Sequence, residues 1–473
     1  MTIRHSRHSR ITAFVLAVCF ALLSSVAVSA REDSAAAGGA ITEADALKVS
    51  GEKIVDMAGN EVVLRGTNFG GWGIMEDWFC PIESPSGERI VYDRLCERFG
   101  QDSADELLRI FRRNWITEVD FKNVAELGMN VVRLPIWYRN FQSDDNGTWF
   151  RDANGDIDFS ELDWIADQCR SNGLYLILDL HGLPGYQNDY DHSGKSKSMS
   201  LFDDSQQGRR NREIAVDFWT ELAAHFSGDP VIAMYDLMNE QLGSSITSVD
   251  SLRPAMWDFT DELYKAIRAV DPDHIITMEC IWSIDCMPDP ADYGWENVVY
   301  QLHFYDVWNG AYKINLNKCF RAGYGVPLYI GESYPRGIST FDYMLSLYNN
   351  YDVSWTSWTY KGVGPGADTS TWFLYGCSDI PKIDYENDSY DVIAEKWGES
   401  LRTDSGNFTR TYFASYISNF TDGHVDRLSL ATFGLLSHTG TYEDNKNMFQ
   451  NKTGAMITTV KDWIRKLIAG ELL

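Results

Sequence analysis

The sequence predicts an α/β fold, a (β/α)8 TIM barrel with loop insertions and a C-terminal helical extension. Eight short apolar runs rich in β-branched and aromatic residues recur between residues 62 and 361, and stretches of helical period separate them. Several of the runs stay apolar on both faces and then stop on a polar or charged residue. That is the pattern of a parallel sheet covered by helices, with the C-terminal strand ends meeting around one mouth.

The runs, in order, are VVLRGTNFGGW (62–72), NVVRLPIW (130–137), LYLILDLHG (174–182), IAMYDLMNE (232–240), HIITMECIW (274–282), NVVYQLHFY (297–305), PLYIGES (327–333) and VSWTSWTYK (353–361). Helical patterns between them include TEVDFKNVAELG (117–128), SELDWIADQCRSNG (160–173), the stretch 209–226 and AMWDFTDELYKAIRAV (255–270). The second of these opens on Ser160, an expected N-cap, and closes at Gly173. The expected barrel runs from 50 to 400, with its largest insertion between the first two strands at 73–115. Residues 401–473 carry an amphipathic stretch, MITTVKDWIRKLIAGELL, and no catalytic motif, so they are expected to pack on the barrel as an extension.

Composition narrows the partners. At 473 residues, 44% hydrophobic and 13% aromatic, the chain can bury a large core. With 41 basic against 68 acidic residues the net charge is -27, which repels nucleic acid and anionic membrane. Sixteen Trp and twenty-four Tyr exceed the ordinary needs of packing, and two readings stay open for each: a core residue, or a flat surface on which a sugar ring stacks. Arg4, Arg7 and Arg10 precede the apolar run ITAFVLAVCFALL, and SVAVSA follows it, so residues 1–30 read as a leader cleaved after Ala30. Residues 31–49 read as a small-residue linker, and the mature chain is expected to be secreted. Seven cysteines then remain, an odd count. Pairing of Cys80 with Cys96 or of Cys280 with Cys286 stays open, and no CxxC spacing points to zinc.

In such a barrel the polar residues that end the strands converge. They are Asn68 and Trp72, then Arg133, His181, Asn239, Glu240, His303, Tyr305, Glu332 and Trp358. Glu240 ends the fourth run and Glu332 the seventh, on opposite sides of the mouth. Cleaving a glycosidic bond with retention of configuration needs two carboxyl groups roughly 5–5.5 Å apart, one holding a proton and one ionised. Arg133 is expected to keep Glu332 charged and Tyr305 to donate to it. Asn239 is placed for a sugar 2-hydroxyl, and Trp358 offers an apolar floor. His181 and His303 lack the early His-x-His of metal-dependent barrels, so neither metal nor cofactor is expected. Glu279, at the end of the fifth strand, is expected to serve as a structural hydrogen-bonding group. The acidic loop DANGDID (152–158) lacks the Glu that completes a calcium loop and reads as solvated.

The ordered set RGTNFGGW, VVRLP, LDLHG, YDLMNE, HFY, IGE and SWTSWTYK resembles glycoside hydrolase family 5 of the cellulase clan, over nearly the whole span 60–361. The resemblance implies a retaining hydrolase of O-glycosyl bonds, with Glu240 as acid/base and Glu332 as nucleophile. Arg133, His181, Asn239, His303, Tyr305 and Trp358 would support them. The segments GGWGIMED and DLHGLPGYQNDYDHSG (179–194) are similar to loops of the exo-acting β-1,3-glucanases in that family, which implies that Glu76 grips a terminal glucose in a pocket. The expected substrate is therefore a β-linked oligo- or polysaccharide, attacked from its non-reducing end by a monomer with no nucleic-acid or membrane partner. Two alternatives stay open: an endo-acting β-1,4-glucanase or mannanase with an open cleft, and a non-catalytic carbohydrate-binding protein that kept the fold.

Overall fold

The computed structural model describes residues 39–243, 250–279, 284–305, 309–334 and 338–430. The expected leader, the amphipathic stretch 456–473 and Cys280 lie outside them. Eight strands, all paired in parallel, close into a barrel. They are β1 (Arg65–Asn68), β2 (Val131–Trp137), β3 (Tyr175–Gly182), β4 (Ile232–Asp236), β5 (Ile275–Glu279), β6 (Val298–Phe304), β7 (Leu328–Ser333) and β8 (Ser354–Ser357). Nearly every strand residue is buried, as a sheet with filled interior and covered exterior requires. β8 pairs back with β1 and completes the circle. Closure brings β1 hard against β2: a Cβ at Gly66 would sit 1.9 Å from the Val131 carbonyl oxygen, so only glycine fits there.

Each strand is shorter than the apolar run that announced it. β4 stops at Asp236, and Leu237 through Gln241 leave the ladder to become part of the mouth. The insertion between β1 and β2 forms α1 (Glu88–Phe99) and α2 (Gln101–Trp115), followed by α3 (Glu118–Glu126). The later crossovers are α4 (Ser160–Ser171), α5 (Gln206–Phe226), α6 (Arg253–Val270), α7 (Asn309–Ala322) and α8 (Ile338–Asn350). One local expectation needs correcting. Ser160 is the first helical residue of α4 rather than its cap, because Asp158 two residues earlier accepts from both its N–H at 3.1 Å and its hydroxyl at 2.6 Å.

Two fully buried tryptophans tie the helical shell to the mouth. Trp115 at the end of α2 donates to the Gly70 carbonyl at 2.9 Å, holding the turn after β1. In that turn Gly71 has φ +83°, and a Cβ there would meet the Cys80 sulfur at 2.6 Å. Trp219 of α5 donates to the Leu237 carbonyl at 3.0 Å, two residues before Asn239.

The described chain beyond β8 wraps the barrel. Residues 361–363 pair with 375–377, and 409–410 complete a three-stranded sheet. Two short helices, α9 (Tyr390–Lys396) and α10 (Tyr412–Ile417), flank the last of these strands in sequence. Trp397 packs on Phe111 of α2 at 5.6 Å between ring centroids, and Phe413 on Phe341 of α8 at 4.7 Å. Lys361, fully buried, donates to the Trp115 carbonyl at 2.7 Å and to that of Leu401, joining the two regions. Burial holds its pKa down at about 8. Cys80 and Cys96 are separate thiols, so that pairing does not form. Among the described residues no helix is long and apolar enough to cross a membrane.

Candidate active site

The site is built around one cation. Arg133 projects from β2 into the barrel and is wholly shielded from solvent. Its guanidinium donates to Glu332 Oε1 at 2.8 Å, Asp236 Oδ2 at 2.8 Å, Asn239 Oδ1 at 2.9 Å and Asn68 Oδ1 at 3.0 Å, and lies 3.0 Å from Asp179 Oδ2. Removing a guanidinium from water is costly unless acceptors surround it, and here three carboxylates and two amide oxygens come from four strands, β1, β3, β4 and β7. Burial pushes the carboxyls of Asp179 and Asp236 up, that of Asp236 to about 6, while the Arg133 charge opposes the rise.

The hydrogen bonds fix two histidines as neutral bases. Burial holds His181 down at about 3 and His303 at about 4. His181 Nδ1 lies 2.7 Å from Asp179 and therefore carries the proton, leaving Nε2 to accept from the Asn239 amide at 3.3 Å. His303 Nδ1 donates to Glu240 Oε1 at 2.8 Å and lies 3.6 Å from Glu332 Oε2. Glu332 in turn accepts from the Tyr305 hydroxyl at 2.5 Å.

Glu240 sits in the left-handed region, φ +47°, as does Leu242 at +62°. A non-glycine residue stays there only when its surroundings force it. The surroundings are visible: its N–H donates to Glu279 Oε2 at 3.0 Å and its carbonyl accepts from Asn188 at 2.9 Å. Buried Gln187 donates to the carbonyls of His181 at 2.7 Å and Asn239 at 2.9 Å. The long loop after β3 thus clamps the turn that carries Glu240, and Glu279 has the structural role expected of it. Burial raises the pKa of Glu240, while His192, its Nε2 3.5 Å from Oε2, and Arg133 pull the other way.

Above these groups lies a cavity of ≈ 290 Å³. Glu240, Glu332, Asn239, His181, Tyr305, Trp358 and Glu76 line it, together with Trp78, His192 and Trp372. Trp358 lies nearly parallel to the His181 ring, at 5.6 Å and 12°. Glu76 accepts from the Trp78 indole at 2.8 Å, and burial, reinforced by the negative charges of Asp191, Glu332 and Glu240, pushes its pKa well above the usual range. Of the residues expected to converge, Asn68, Trp72, Arg133 and His303 do not reach this cavity. Asn68, Arg133 and His303 are buried outside its lining, Arg133 and His303 holding the carboxyl groups that do reach it, whereas Trp72 lines a separate hollow with Arg112 and Trp164. Among the described residues Glu240, Glu279 and His303 have ligand atoms within 4.8 Å of one another, but the His303 nitrogen is already engaged with Glu240.

Residues 102–364, more than half of the chain, match the family model Cellulase (glycosyl hydrolase family 5). The chain belongs to that family. This family 5 member is 29% identical over 354 residues to a beta-xylosidase of Phanerodontia chrysosporium, covering 67% of this chain and 71% of that one. It is 29% identical over 262 residues to a glucan 1,3-beta-glucosidase of Candida oleophila, covering 52% of this chain and 59% of the relative, so that match spans little over half of the glucosidase. The barrel is shared with an endogalactoceramidase structure at 19% identity, covering 74% of this chain and 84% of that one with a TM-score of 0.53.

Family membership makes the protein a glycoside hydrolase that works with retention. His303 Nδ1 lies 2.8 Å from Glu240 Oε1 and 3.6 Å from Glu332 Oε2, so the two carboxyl groups flank one imidazole.

The sequence concealed several members of this family 5 site. Asp179 was legible in principle, because it precedes His181 by two residues on one strand and so shares its face. Asp236 sits in a quoted run, but its pairing with Arg133 depends on barrel closure. His192, Trp78 and Trp372 sit on loops, with no periodic signal to aim them at the cavity.

Proposed function

We propose that this family 5 hydrolase removes single sugars from the non-reducing ends of β-glucan chains. Glu240 is the acid/base and Glu332 the nucleophile. Glu332 attacks the anomeric carbon while the Glu240 proton passes to the departing glycosidic oxygen, leaving a glycosyl ester on Glu332. Water, deprotonated by Glu240, then attacks the same carbon, breaks the ester bond and releases the sugar with its configuration retained. Arg133 and Tyr305 orient the Glu332 oxygens. Asn239 bonds the 2-hydroxyl, Trp358 with His181 behind it supports the ring, and Glu76 receives the terminal hydroxyls.

The observation that carries exo action is the small cavity with a third buried carboxyl, Glu76, in its wall. At ≈ 290 Å³ it sits at the bottom of the roughly 300–1,000 Å³ range of ligand pockets and suits little more than one sugar ring. The relative named glucan 1,3-beta-glucosidase supports a β-glucan substrate. The leader-like residues 1–30 support export of the mature chain.

The test is a time course of products from laminarin, a cellulose derivative, mannan and an aryl β-glucoside, with Glu332→Ala as control. Glucose alone from the first time point is the expected result. Early mixed oligosaccharides would mean an endo-acting enzyme, and sugar binding without turnover by either form would mean a non-catalytic protein.

A further inference from the structure

A second hollow adjoins the catalytic one. It measures ≈ 330 Å³ against ≈ 290 Å³, and Trp78 and Trp372 border both. On the far side the wall is Phe373, Pro365 and the backbone of Gly364 and Gly366. On the near side stand Glu76, Glu240 and Glu332.

The two indoles are firmly seated. Trp78 donates to Glu76 at 2.8 Å, lies stacked 5.8 Å from Phe373 and meets Phe79 edge-on at 4.7 Å. Trp372 lies flat on Tyr334, 3.3 Å between centroids, and its carbonyl accepts from Thr359 at 2.7 Å. The indoles meet each other edge to face at 5.2 Å, which leaves no gap for a pyranose ring between them. Trp78 nevertheless remains 42% exposed. A large ring that borders two hollows and keeps that much surface open is a natural stacking face for a sugar.

Topology gives the direction. Trp372 follows β8, opposite β4, which carries Glu240, and Trp78 follows β1, the neighbour of β8. A general acid stands on the leaving-group side of the scissile bond, so the indoles stand on the side of the non-reducing end.

We propose that Trp78 and Trp372 partition what would otherwise be one cleft, and that this partition confines the enzyme to chain ends. The near chamber admits a terminal sugar only. The far chamber is a sugar-binding subsite for β-linked glucose that the partition shuts off from it. This inference rests on the exo reading of the pocket and assigns that reading to two named side chains. Shortening Trp78 to a methyl group joins the chambers, so that a terminal disaccharide can span them with its outer ring on Trp372 and Phe373.

The experiment is hydrolysis of a linear β-1,3-linked tetrasaccharide by the full chain, its Trp78→Ala variant and its Trp372→Ala variant, with products separated at low conversion. The wild type is expected to release glucose and no disaccharide from the non-reducing end. Trp78→Ala should release disaccharide in amounts comparable with glucose. Glucose alone from both variants and from the wild type would overturn the partition and leave the exo reading intact. Disaccharide released by the wild type itself would overturn both. A crystal structure of the Glu332→Ala/Trp78→Ala double variant soaked with the tetrasaccharide decides the matter without turnover. Rings on both sides of position 78 support the partition, and rings confined to the Glu240 side overturn it.

Discussion

In the role proposed for it Glu240 holds a proton near neutral pH and surrenders it on demand, and the groups around it set how tightly. Burial raises its pKa, and His192 and Arg133 temper the rise, although burial holds the His192 imidazole itself below its ordinary value. Facing it are His303 from β6, Glu279 at the end of β5 and His192 from the loop after β3. A general acid works in its protonated form, so kcat/KM falls as pH climbs through its pKa. In its protonated form His192 favours the ionised carboxylate, so removing it raises that pKa. His192→Asn is therefore expected to shift the alkaline limb of the pH profile upward. Measuring kcat/KM against pH on a β-linked disaccharide checks this, and an unmoved or lowered limb would contradict the role given to His192. The sequence placed His192 in a quoted loop without pointing to its target. Its approach to Glu240 depends on how the loop folds back over β3, which no local pattern encodes.

At the level of elements, the loop after β3 does as much for the site as the strands do. Gln187 donates to two carbonyls in the buried floor of the site, those of His181 and Asn239. An orphaned buried acceptor costs about 1–3 kcal/mol. Gln187→Ala is expected to lower stability by that order and to reduce kcat more than it alters KM, because Glu240 loses its clamp while the cavity lining stays. Parallel chemical-denaturation and steady-state measurements would show it, and a loss confined to KM would argue against the clamp. The strands themselves were legible, since runs such as NVVRLPIW and LYLILDLHG must be apolar on both faces to stand between filled barrel and helices. Their ends were less so: a run continues apolar past the last ladder bond, as Leu237 and Met238 do after β4. The cap of α4 was misplaced by a serine that instead binds the true turn-former, Asp158.

Over the whole molecule, the described part of the C-terminal region packs on the barrel and steadies it. Trp397 is fully buried against Phe111 of α2, the helix whose Trp115 holds the turn after β1. Trp397→Ala should cost about 3–5 kcal/mol, read as a lower denaturant midpoint, because its ring leaves a cavity that the surrounding helices cannot close. Loss of less than about 1 kcal/mol would show that this region is loosely attached. The central claim is that Glu332 forms the covalent bond to the sugar while Glu240 only moves protons. A 2-deoxy-2-fluoro-β-glucoside with an activated leaving group slows breakdown of the glycosyl ester, so mass spectrometry of the digested enzyme reads its site directly. The account predicts the fluoroglucosyl mass on the peptide carrying Glu332; the same mass on Glu240, or inactivation with the label elsewhere, would contradict it.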